Sequence, residues 1–159
     1  MFTAILALLL GIAPVISVQT LSGEPMILPR DFTQPVVLVA GFTKASRSET
    51  EPWARRLAAD SRITSKLRLY EVSILDGVPG FLRSMIVKQM KSGITPARQK
   101  QFLIVTENVD WWKQALGANG GDDHAWIVVL KPGGVAAWRG HGAITEAAYR
   151  DLLRSIENL

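Results

Sequence analysis

The stretch Pro35-Val36-Val37-Leu38-Val39-Ala40-Gly41-Phe42 sets the tightest limit on the fold. Successive residues of a strand point to opposite sides of a sheet, so a half-buried strand alternates apolar and polar side chains. This stretch does not alternate. It is apolar without a break, with proline at its start and the polar loop Thr43 to Glu49 behind it. Such a strand belongs in the middle of a sheet that is covered on both faces. The chain therefore needs at least three layers.

The rest of the chain supplies the other layers. Ser48-Glu49-Thr50-Glu51 has capping-box spacing, and Pro52 suits a first helical turn. Trp53 and Leu57, with Ala54 and Ala58, then recur at i, i+4, which predicts a helix from about residue 50 to 60. Leu67 to Leu75 alternates and reads as a strand. Phe81, Leu82, Met85, Ile86 and Met90 form an apolar stripe at helical spacing, with Arg83, Lys88 and Lys91 off it. That pattern predicts an amphipathic helix closing near Gly93, with Met85 and Met90 in the core.

Phe102 to Thr106 is a short strand, and Val109 to Leu116 a short helix ended by Gly117. Ala125 to Leu130 and Val135 to Arg139 flank Lys131-Pro132-Gly133-Gly134 and read as a hairpin. Thr145 caps a last helix whose core face is Ala148, Tyr149, Leu152, Leu153 and Ile156. A strand–helix–strand start followed by an antiparallel hairpin and a closing helix predicts an α/β fold, a mixed central sheet with helices on both faces. At 159 residues there is room for one such domain. We place it at 35–159, after a linker at 24–34 that holds Pro25 and Pro29, and an apolar segment at 1–23.

That first segment has no charged side chain, and Ala4 to Ile16 has the character of an export-signal core. Val15 and Ser17 allow cleavage after Ser17. An uncleaved N-terminal anchor and an interfacial helix are the other readings. The third reading includes a helix simply buried in the domain. The first two place the protein outside the cytoplasm, exported, periplasmic or anchored to the membrane by this segment, and that is the expectation for this chain. The chain has no cysteine, which excludes a disulfide framework, a thiolate zinc site and any thiol nucleophile. Its net charge of +4 is spread along the chain and gives no footprint for nucleic acid.

From Val36 onward the chain resembles the thioredoxin-like mitochondrial ATP synthase assembly factors. The residues that carry the likeness are a strand, polar loop and helix bearing Trp53, then Leu69-Tyr70-Glu71-Val72-Ser73. A basic helix follows at 81 to 91, and then Trp138-Arg139-Gly140-His141-Gly142 before the last helix. The resemblance implies a thioredoxin-like three-layer sandwich. It also implies a chaperone-like role toward the a-type subunit of a membrane sector, with no cofactor.

In that layout three segments meet at one end of the sheet: Thr43 to Glu51, Asp122 to Ala125, and Gly140 to Ala143. Redox members carry cysteines in the first and a proline in the second, and this chain has neither. Both of its histidines, His124 and His141, fall on this rim. Asp122 and Asp123 lie beside the first. With one carboxylate, Asp123, the histidines could form a labile metal site or a general-base pair, the basis for an alternative reading as a metal-binding protein or hydrolytic enzyme. As capping residues they would do neither. Candidates for contact with a protein partner are Lys44 and Arg47, which could also hold an anion, and Trp111 and Trp112, adjacent and so unable to share one helix face. Arg83, Lys88 and Lys91 make the basic helix a candidate for an acidic partner or an anionic membrane surface.

Overall fold

The computed structural model describes residues 15–159. The element order is β1 (Ile16–Thr20), β2 (Pro25–Leu28), β3 (Val36–Gly41), α1 (Arg47–Ala59), α2 (Ser61–Thr64) and β4 (Arg68–Ile74). There follow α3 (Gly80–Gly93), α4 (Pro96–Gln99), β5 (Phe102–Val105), α5 (Val109–Leu116), β6 (Trp126–Leu130), β7 (Ala136–His141) and α6 (Glu146–Ile156). The strands form one sheet in the order β2-β1-β5-β4-β3-β6-β7. β3, β4 and β5 run parallel, and the outer strands pair antiparallel.

β3 is central, as its unbroken apolar run predicts, and its side chains divide between two cores. Val36, Leu38 and Ala40 face Tyr70, Val72, Leu103 and Val128, under Trp112 and Leu116 of α5. Val37 and Val39 face Ile127 and Val129, under Trp53 and Leu57 of α1 and Tyr149, Leu152 and Ile156 of α6. Layers thus lie on both sides of the sheet, and the mixed α/β sandwich is the observed fold.

Three expectations need correction. The segment read as leader and linker supplies two strands, because Ile16 and Val18 are buried and β1 fits between β2 and β5. Cleavage after Ser17 would remove part of β1. Most of the apolar run from Ala4 lies outside the described residues, and among those described no helix is long and apolar enough to cross a membrane. Next, α1 starts three residues before the expected position, from N-cap Ser46. Ser48 Oγ donates to the Ala45 carbonyl at 3.2 Å instead of capping, and Pro52 stands inside the helix.

The third correction concerns α3. Its stripe should have been core, yet no residue of α3 is buried. Arg83, Ile86, Val87 and Met90 are half-buried, while Phe81, Leu82 and Met85 point outward. The reason lies in the surface beneath it. Ile16, Val18 and Thr20 of β1 turn to the opposite core, which leaves Ser17 and Gln19 on the α3 side. A cleft of about 370 Å³, lined by Ser17, Gln19, Ile104, Thr106 and Glu107, separates them from Val87 and Lys91. A polar sheet edge offers an apolar helix face little to bury against.

Candidate functional site

The end of the sheet where β3 leaves and β6 enters brings together the three expected segments. The loop after β3 turns tightly because Ser46, buried, donates from Oγ to the Thr43 carbonyl at 2.6 Å. Gly41 is required there, since a Cβ would run into the Ser46 side chain. This turn starts α1 at Arg47 and aims Glu49 at the hairpin.

Glu49 is the hub, with its side chain 18% exposed. Its Oε1 accepts from His124 Nδ1 at 2.9 Å, and its Oε2 from the backbone N–H of Ala125 at 2.8 Å. Ala125 is fully buried, so this carboxylate satisfies an amide that water cannot reach. Asp122 is the second hub. Its Oδ1 accepts from the His124 backbone N–H at 3.0 Å and from Trp126 Nε1 at 3.1 Å, and its Oδ2 from His141 Nε2 at 2.8 Å. Trp126 and His141 are cross-strand partners, and their rings stack with centroids 3.8 Å apart. Thr43 Oγ1 donates to Asp123 Oδ1 at 2.7 Å, and Trp53 Nε1 donates to the Gly142 carbonyl at 2.9 Å. All three segments are tied to one another.

The two imidazoles meet edge to face with centroids 5.3 Å apart. Each gives one nitrogen to a carboxylate, which leaves His124 Nε2 and His141 Nδ1 without a hydrogen-bond partner among the described residues. Among those residues no group of three or more His, Asp or Glu side chains is arranged to hold a metal ion. Asp123, expected beside the histidines, is turned to Thr43. Asp122 takes its place at His141, and Glu49, which the sequence offered only as part of a capping-box stretch, is the partner of His124.

Of the other candidates, Lys44 is exposed, and Arg47 is committed to Glu51 at 2.6 Å. Trp112 is fully buried, its indole N–H without a hydrogen-bond partner among the described residues, so it is core and not a partner contact, whereas Trp111 is half-buried against the same core. Arg83 donates to the carbonyls of Leu75 and Asp76 and so fastens α3 to the end of β4. Lys88 and Lys91 are exposed.

Burial pushes the Glu49 carboxyl up, but the bonds from His124 and Ala125 outweigh it and hold it below its ordinary 4.5. Asp122 is likewise lowered: burial opposes ionisation, and the bonds from the His124 amide and His141 overcome it. The His124 imidazole is raised above 6.5, first by its bond to Glu49 and then by that carboxylate's charge. A raised folded-state value adds stability below the unfolded-state value that is lost as pH rises through the folded one. A lowered carboxylate adds stability that is lost as pH falls through its folded value. The Glu49–His124 tie is therefore at full strength between 4.5 and 6.5.

Burial also raises Glu71, on β4, to about 7, so it too favours the fold at lower pH. The midpoint of thermal unfolding should fall between pH 6 and pH 8. Glu71→Gln should flatten the slope below pH 7, and His124→Gln should flatten it above pH 6.5. A slope that neither variant changes would exclude both groups as its source.

No protein-family model and no curated protein matches the chain. Solved structures do match it. BsSco, a member of the Sco family of cytochrome c oxidase assembly proteins, superposes with a TM-score of 0.60 at 15% identity, covering 91% of this chain and 90% of that one. The thioredoxin domain of a thiol-disulfide oxidoreductase from Bacteroides vulgatus gives 0.56 at 15%, covering 91% and 95%. The pneumococcal exposed lipoprotein thioredoxin from Streptococcus pneumoniae gives 0.50 at 13%, covering 89% and 98%. At such identities the likeness concerns the fold.

Proposed function

From the premise of a thioredoxin-like fold with no thiol, we propose that this protein is a redox-inactive envelope module that binds a protein partner at the histidine rim, a subunit of a membrane complex during assembly. One observation carries this reading: the loops at that end of the sheet are cross-tied by Glu49, Asp122 and Trp53 into a fixed surface. That surface presents His124, His141 and Lys44 to solvent. A preformed surface loses little conformational freedom on binding. BsSco, of the same fold, belongs to a family of assembly proteins, and the resemblance at Trp138 to Gly142 favours the membrane sector of ATP synthase as the complex.

A photo-crosslinking residue placed at Lys44 should give one discrete adduct with a membrane-complex subunit. The same residue at Lys131, in the turn at the opposite end of the sheet, should give none. Equal adducts from both positions, or none from Lys44, would sink the reading.

A labile metal site is the second reading, favoured by the free nitrogens on the two adjacent rings. Stoichiometric zinc or copper binding in calorimetry, lost in a His124→Ala, His141→Ala variant, is its signature.

A further inference from the structure

The half of α3 that points away from the sheet is apolar at its start and basic beyond it. Phe81 is 72% exposed, Met85 64% and Leu82 38%. Lys88 follows one turn on from Ser84 and Met85, and Lys91, also exposed, stands on the flank where α3 borders the cleft; neither makes an ion pair among the described residues. No acidic residue occurs from Gly77 to Thr106, a span that also carries Arg83, Arg98 and Lys100. The inward half of the helix stands over the polar cleft against β1 and β5. The apolar residues thus face away from the sheet surface that lies beneath the helix.

We propose that α3 is a bilayer-docking helix for anionic lipid, with Phe81, Leu82 and Met85 in the headgroup–acyl boundary and Lys88 and Lys91 at the phosphates. A helix with an outward apolar patch and unpaired cations beside it matches the two layers of such an interface, apolar below and anionic above. An acidic protein would satisfy the lysines but leave the neighbouring apolar cluster without a counterpart. A second copy would bring Lys88 and Lys91 against their own kind, with no carboxylate on the helix to answer them. The N-terminus of α3 follows β4, which is parallel to β3, so the patch opens at the same end of the sheet as the histidine rim. A module seated this way would hold its rim next to the bilayer.

The absence of cysteine makes the test clean. Full-length protein carrying Phe81→Cys or Met85→Cys is labelled with an environment-sensitive fluorophore. Asp110→Cys, exposed on α5 across the sheet, serves as the reference. Each is mixed with vesicles of phosphatidylcholine alone or with phosphatidylglycerol added, and binding is followed by flotation. Because residues 4–16 are apolar and give the chain a separate route to lipid, flotation alone does not decide.

The expected result is a blue shift at positions 81 and 85 on anionic vesicles, weak on neutral ones, and none at 110. Lys88→Gln with Lys91→Gln should raise the lipid needed for half the shift on the order of tenfold. Labels at 81 and 85 that stay in water on vesicles carrying the protein would overturn the proposal. So would protein that does not float with anionic vesicles. A shift present before lipid is added, with sedimentation as a dimer, would assign the patch to a second copy.

Discussion

Replacing Trp53 with alanine should destabilise the protein by about 3–5 kcal/mol, the range for removing a large buried aromatic. Trp53 is 1% exposed and packs between Trp138 and Tyr149, with ring centroids 6.2 and 6.3 Å away. It connects α1, the hairpin and α6 in the core beneath the rim. Its loss also removes the donor to the Gly142 carbonyl, whose own N–H donates to the Ala125 carbonyl at 2.8 Å. At about 2–4 °C per kcal/mol for a chain of this size, the melting midpoint should drop by roughly 10 °C or more. Trp53→Phe keeps most of the packing and loses the hydrogen bond, a change of about 1 kcal/mol plus the smaller ring. Denaturant titration of both variants measures the two parts. A loss below about 1 kcal/mol for the alanine variant would mean that the core collapses around the gap and that Trp53 does not hold the rim.

Glu49→Ala should cost about 1–3 kcal/mol, the penalty of leaving a buried amide unpaired. The amide is that of Ala125, at the start of β6, and its partner carboxylate comes from α1, so the bond is tertiary. The same substitution frees His124 and returns its imidazole toward the ordinary 6.5. Glu49→Gln retains an acceptor for the amide and should be milder, but it loses the charge that raises His124. Hydrogen exchange at the Ala125 amide reads the first effect, and the pH titration of the His124 ring reads the second. Fast exchange in the alanine variant with slow exchange in the glutamine variant is expected. If exchange is unchanged in both, another group protects that amide and Glu49 is not the hub of the rim.

The sequence was a good guide where one strand or helix determines its own pattern. β3 could be placed from its unbroken apolar run, and α5 and α6 from their stops and caps: Gly117 ends the first, and Thr145 Oγ1 accepts from the Ala148 N–H at 3.0 Å. It was a poor guide where a strand's identity depends on partners far along the chain. Ile16 to Thr20 alternates in burial only because β5, more than eighty residues away, and β2 pair with it. Read alone, its first residues continue an apolar run. The α3 stripe failed for a related reason. Periodicity says which residues share a face and does not say whether a neighbouring element presents an apolar surface to that face.

What the sequence determined by itself is therefore local. It gave a double-covered central strand, the helix spacings, the absence of any thiol, and two histidines in segments that the resemblance brought to one end of the sheet. The tertiary structure decided the pairings: His124 with Glu49, His141 with Asp122 and Trp126, and Asp123 with Thr43. Adjacent carboxylates such as Asp122 and Asp123 are chemically equivalent in a sequence. Only the register of β6 against β7 and the tight turn at Ser46 select which one meets an imidazole, because a hydrogen bond requires its atoms within about 3 Å. The same packing kept Trp112 inside and left Phe81 and Met85 outside, since burial depends on what the rest of the chain brings alongside.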